Sequence, residues 1–186
     1  MDFQINKKHF TFMDFKELLN NKSIKPKEKT EILSQWILEN PGEISHLCNF
    51  AINSKDTHKA SCLEAMEYAS KQNPNISTSE WLEFATVSLI DKAPRIKWEA
   101  ARVIGNIAPC YPAMLENAIN NLLINSEHEG TVVRWSTAYA LGEILKLKTD
   151  FNDIIIKAIE KIVENEEKNS IRKIYLSAFK QLKTKR

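Results

Sequence analysis

Glycine is scarce in this chain of 186 residues: only Gly42, Gly105, Gly130 and Gly142 occur, and the closest two stand 12 residues apart. That spacing excludes the glycine loops that cradle phosphates, both G-x-G-x-x-G and the Walker A type. It also argues against a β-rich fold, whose turns and bulges consume glycine. Cysteine is scarce too, with Cys48, Cys62 and Cys110 alone. An odd, low count, with no secretory pattern in the opening MDFQINKKHFTFMDF, points to reduced thiols and a cytoplasmic chain. No stretch approaches the roughly 18 uncharged apolar residues of a membrane span. Charge of neither sign dominates: 26 basic side chains face 24 acidic ones, which gives no general push towards nucleic acid or lipid.

What the chain does contain is a repeat. Ile96–Ala108, I-K-W-E-A-A-R-V-I-G-N-I-A, aligns with Val132–Leu145, V-V-R-W-S-T-A-Y-A-L-G-E-I-L. Lys97 pairs with Arg134, Trp98 with Trp135, Gly105 with Gly142 and Ile107 with Ile144, an offset of 37. A further step of 38 reaches Ile171–Leu182, and a step of 38 back from Lys97 reaches His58–Ala69. A weaker copy covers Glu28–Leu38. Each copy is apolar at helical spacing, as in Ile96, Ala100, Val103, Ile104 and Ile107. Small residues recur within the stripe (Ala100, Ala101, Ala138, Ala140, Ala178), so these helices are expected to pack closely on neighbours.

An amphipathic segment precedes each copy: Met13–Asn20, Ile44–Asn53, Ser79–Asp91, Ala113–Asn125 and Asp153–Glu164. Breakers at Pro41-Gly42, Asn73-Pro74, Pro109 with Pro112, and Thr149-Asp150 separate the pairs. Ser77 and Ser79, followed by Glu80 and Glu83, suit a helix N-terminus. Pro94 falls in a first turn, where its missing N–H costs nothing. The reading is therefore all-α, with five helix pairs at about 10–39, 42–72, 77–109, 112–147 and 150–184 in a single domain over 1–186. Such pairs bury their faces by stacking into a solenoid.

The chain resembles the HEAT-repeat family. Its second helix typically reads V-R-x-x-A-x-x-A-L-G-x-I, matched here by Val133, Arg134, Ala138, Leu141, Gly142 and Ile144. The turn Asp91-Lys92-Ala93-Pro94 matches the family's acid and proline between helices. The middle pairs match best and the first pair poorly. The resemblance implies a right-handed α-α superhelix, and a ladder in which turn acids bond helix bases across repeats. The candidate bases are Lys59, Lys97, Arg134 and Arg172. The candidate acids are Asp56, Asp91, Glu127 or Glu129, and Glu166 or Glu167. A phosphate-binding stripe is the other reading of these bases, and the nearby acids weigh against it.

Chemistry-bearing clusters are few. His46, Cys48, His58 and Cys62 are ligand types for zinc, but Cys48 continues an apolar stripe with Ile44, Leu47 and Ala51, where cysteine behaves as a small hydrophobe. No metal and no cofactor are expected. Neither G-x-S-x-G nor H-E-x-x-H is present. Cys110 in P-C-Y-P has no helix start or basic neighbour to activate its thiol, and His128 between Glu127 and Glu129 reads as a solvated turn. No catalytic residue is assigned.

Aromatic residues carry more information. Along two second helices run Trp98, Arg102, Asn106 and Trp135, Tyr139, Glu143, mostly amphipathic or polar, unlike the apolar stripe beside them. In HEAT-like solenoids the second helices usually line the concave surface, and Trp, Tyr and Arg commonly anchor interfaces. These six residues form the candidate partner-binding patch; packing of both tryptophans between repeats is the competing reading. The leading function is a non-enzymatic protein- or peptide-binding scaffold. The alternative is a nucleic-acid binder related to HEAT-like DNA alkylation repair glycosylases, although the tryptophan–aspartate constellation of those enzymes is absent. Self-association through the C-terminal end is a third reading. Arg172, Lys173, Lys180, Lys183, Lys185 and Arg186 make that end basic.

Overall fold

The computed structural model describes the backbone of residues 13–184 and the side chains of 13–182. The expected start at about residue 10, and the side chains of Lys183, Lys185 and Arg186, lie outside the described residues. No strand occurs among them. Ten α-helices follow in chain order: α1 (Phe15–Asn20), α2 (Pro26–Glu39), α3 (Ile44–Ile52), α4 (Asp56–Gln72), α5 (Ser79–Ser88), α6 (Pro94–Ile107), α7 (Glu116–Asn125), α8 (Thr131–Leu145), α9 (Asn152–Asn165) and α10 (Asn169–Thr184). Odd-numbered helices form one layer and even-numbered helices the other, an α-solenoid.

Local chemistry sets the helix starts. Pro26 and Pro94 each open a helix at its first turn, where the fixed φ is already helical. Asp14 caps α1 by accepting from the Glu17 amide at 2.9 Å. At α5 the cap is Thr78, which accepts from the Trp81 amide. Ser77, expected to share that role, instead donates its hydroxyl to the Pro74 carbonyl at 2.7 Å. The first helices are shorter than their patterns: α5 stops at Ser88 rather than Asp91, and α7 starts at Glu116 rather than Ala113. The trimmed residues form tight turns, because Asp91 caps the next amides and Pro112 opens a short 3-10 turn.

The principal contacts run between successive even helices, α2 on α4, α4 on α6, α6 on α8 and α8 on α10, while the odd helices touch one another far less. The even helices are therefore the more closely packed layer. Small residues permit that spacing: Ala60, Ala100, Ala101, Ala138, Ala140 and Ala178 are all buried. One continuous apolar core links the layers, from Phe15 and Leu19 to Tyr175 and Ala178.

Candidate functional site

Ladder residues occupy one edge of the even helices. Each base stands on the fourth residue of its helix, so its side chain reaches the turn of the following repeat. Lys59 meets Asp91 at 2.8 Å. Arg134 grips Glu166 through two bonds, 2.8 and 3.2 Å, and donates also to the carbonyls of His128 and Glu129. Burial works against ionised Asp91, but hydrogen bonds from Lys59 and the Ala93 amide outweigh it and hold the carboxyl below the usual range. Hydrogen bonding to Arg134 does the same for Glu166.

Two rungs depart from expectation. Lys97 reaches not Glu127 or Glu129 but buried Asn125, at 3.1 Å, together with the Leu89 carbonyl. The α7–α8 turn carries both glutamates out to the surface. Asp56 joins no rung, because Lys29 of the preceding repeat donates to the Leu19 carbonyl instead.

The six patch residues lie on α6 and α8. Arg102 donates to buried Glu67 of α4 at 2.7 Å and to Glu99 at 3.4 Å. Asn106 donates to the Glu67 carbonyl and to Ser70, and accepts from the Tyr139 hydroxyl at 2.6 Å. Glu143 pairs with Lys146 at 2.6 Å. Arg102 and Tyr139, equivalent in the repeat, thus each tie their helix back to the one before. Burial pushes the Tyr139 hydroxyl up to about 12, with Glu143 and Glu67 adding to it.

The two tryptophans part company. Trp98 is half-buried and donates its indole N–H to Glu99 at 2.9 Å. Trp135 is 41 % exposed, with its ring stacked parallel to that of Tyr139 at a centroid distance of 6.4 Å. Neither a shared packing role nor a shared exposed role describes both.

Beside this aromatic pair lies a groove of about 280 Å³ between α8 and α10, walled by Tyr139, Gly142, Glu143, Lys146, Lys173 and Ser177. Its origin is legible in the repeat. Tyr139 covers Gly105 between α6 and α8, whereas one repeat later the equivalent residue is Ser177, too short to cover Gly142. A larger hollow of about 510 Å³ lies at the ladder edge, where Arg134 and Glu166 on its wall neutralise each other.

Glu99 was not singled out from the sequence, yet it sits at the centre of the polar strip, 3 % exposed, with Trp98, Arg102 and Arg95 around it. Its signal was an acid three residues after Ile96 on the apolar stripe. Burial raises the Glu67 and Glu99 carboxyls above the ordinary range, against the pull of Arg102 on both and of the Trp98 hydrogen bond on Glu99. Glu64 completes the strip, accepting from Thr30 and Arg95.

The zinc-type residues are dispersed. Cys48 and Cys62 lie in the core, and burial pushes the Cys48 thiol up to about 12 and that of Cys62 higher. His58 stacks on Phe50, and His46 faces solvent near Glu43. Among the described residues no three His, Cys, Asp or Glu side chains are placed to hold a metal ion. No described helix is long and apolar enough to cross a membrane.

No family model matches the chain, and no curated protein matches it. Solved structures do. A designed armadillo repeat protein in complex with the peptide (KR)4 superposes with a TM-score of 0.69 at 16 % identity, over 90 % of this chain and 79 % of that one. An engineered protein gives 0.67 at 17 % identity, over 91 % of this chain. The chain spans only 46 % of that protein's length. A second engineered protein gives 0.66 at 16 % identity, over 92 % of this chain and 80 % of that one. The likeness is one of fold. It is to helical repeat solenoids of the armadillo type.

Proposed function

We propose that this chain is a non-enzymatic, HEAT-like scaffold of the cytoplasm that binds a protein or peptide along its concave side. One observation carries the reading: Trp135 stands exposed against Tyr139, and Tyr139 walls a groove that it shares with Gly142 and Ser177. An aromatic pair beside an unfilled notch is the usual anchor of a protein interface. The peptide held by one structural neighbour is in keeping with it. Charge weighs against nucleic acid as the concave ligand, since Arg95 and Arg102 are already engaged by Glu64, Glu67 and Glu99. A groove tracking phosphates needs unneutralised bases.

Affinity capture of partners by the parent chain and by Trp135→Ala, each with and without nuclease, tests this. The expected result is a partner retained after nuclease treatment and lost with Trp135→Ala. Capture that disappears with nuclease, or is indifferent to Trp135, removes the reading.

A further inference from the structure

The turn between α3 and α4 lacks an acceptor that each later turn supplies. Ahead of α6, α8 and α10, a side chain accepts the amide two residues on. Asp91 takes the Ala93 amide at 3.0 Å, His128 that of Gly130 at 2.9 Å and Glu166 that of Lys168 at 2.9 Å. Asp91 and Glu166 are also the carboxylates that hold ladder bases. Ahead of α4 the position is Asn53, whose amide turns back to the Asn49 carbonyl. The Lys55 amide finds no acceptor among the described residues. No side chain caps α4 either, so the partial positive charge of a helix N-terminus stands there.

A histidine breaks the repeat at the same place. The residue before the ladder base is Ile96 on α6, Val133 on α8 and Ile171 on α10, each at most 1 % exposed. On α4 it is His58, 9 % exposed, with the Phe50 ring stacked on it at 6.1 Å. No described residue bonds its ring nitrogens, and neither nitrogen is sealed from solvent. Burying an unbonded polar ring costs free energy, and the later repeats do without it.

His58 lies on the wall of a pocket of about 710 Å³, with Lys16 of α1, Asn49 and Phe50 of α3, and Asn53 and Lys55 of the turn. No acid lines it, and Asp56 in the first turn of α4 is off the wall. Neither Lys16 nor Lys55 has an ion-pair partner among the described residues. Burial holds the His58 imidazole below its ordinary pKa, and Lys55, Lys29 and Lys16 push it further down. An anion relieves repulsion of this kind. We infer that this pocket binds a phosphate monoester, whose dianion takes the place that Asp91 and Glu166 fill in their own turns. Its oxygens accept from the Lys55 amide, the His58 ring and the two lysine ammonium groups. A carboxylate brings one negative charge to these bases, whereas a phosphate monoester brings close to two at neutral pH. The site is separate from the patch around Trp135 and stands without it.

Calorimetric titration of the full chain tests this with a phosphoserine peptide, its glutamate twin, a nucleoside monophosphate and inorganic phosphate. Saturable binding of a phosphate monoester is expected, and the tighter of the peptide and nucleotide arms tells whether a protein or a small molecule carries it. His58→Ile and Lys55→Ala each borrow the residue that α6 uses, so their melts should be no lower than the parent's. Each should weaken binding roughly tenfold or more. Asn53→Asp supplies the carboxylate of the later turns, so it should raise the melt and weaken binding by a similar factor. The His58 ring, followed by NMR, should titrate at higher pH once the phosphorylated probe is bound. Trp135→Ala should change none of this. The proposal is overturned by no binding of either monoester, by inorganic phosphate binding alone, or by equal binding of the glutamate peptide. It is equally overturned if binding ignores His58→Ile and Asn53→Asp, or if an oligonucleotide without terminal phosphates binds as well.

Discussion

Gly105 on α6 lies directly beneath the ring of Tyr139 on α8: a Cβ at position 105 would stand 2.6 Å from Tyr139 Cε1 and 3.2 Å from the Ala140 Cα. Its repeat equivalent, Gly142, has no such lid, and a Cβ there would make ordinary contact with Ala178 at 3.5 Å. The same substitution at two equivalent positions should therefore have opposite signs. Gly105→Ala should destabilise by about 1–3 kcal/mol through overpacking. Gly142→Ala should stabilise by up to about 1 kcal/mol, as alanine does within a helix. Urea unfolding of the two variants beside the parent measures both.

Trp98 and Trp135 should separate in the same assay. Trp135→Ala removes an exposed ring and one aromatic stack, so the loss should not exceed about 1.5 kcal/mol. Trp98→Ala opens a half-buried site and removes the indole donor from buried Glu99, for a loss of about 3 kcal/mol. A large loss at Trp135 would place it in the fold rather than in the binding patch.

The Arg134–Glu166 rung should show in the pH dependence of stability. Glu166 has a folded pKa below its unfolded one, so its contribution is present above the unfolded value, roughly pH 4.3, and is lost as pH falls through the folded one. Glu166→Gln should cost about 2 kcal/mol at neutral pH, where it removes the charged acceptor of a guanidinium that keeps the His128 and Glu129 carbonyls. That difference should shrink towards zero in acid. Denaturant titrations across the acid range give the curve directly.

Glu67 should behave in the opposite sense. Burial raises its folded pKa, so the folded state holds its proton more tightly than the unfolded chain. Parent stability then falls, relative to Glu67→Gln, as pH rises from the ordinary glutamate range to the raised value, and the difference is constant beyond it. A Glu67→Gln profile parallel to that of the parent throughout would show that Arg102 compensates the buried charge fully.

Helix positions, their pairing and the ladder bases Lys59, Lys97 and Arg134 were legible along the chain. Helical periodicity is a local property, and the apolar stripes of α6, α8 and α10 repeat it at a spacing of 37 or 38 residues. Small residues such as Ala100 and Ala138 disclosed close packing, because their size matters only where another helix approaches. Partner choice was decided by the tertiary structure. Lys97 takes Asn125 because the α7–α8 turn carries Glu127 and Glu129 away from it. Trp98 and Trp135 occupy equivalent positions, yet Trp98 is tied to Glu99 whereas Trp135 stands against Tyr139 at an open edge. Equivalence along the chain fixes where a side chain starts. What it meets depends on the residues of the neighbouring helix, and Ser177 in place of a second tyrosine is enough to turn a covered glycine into a groove.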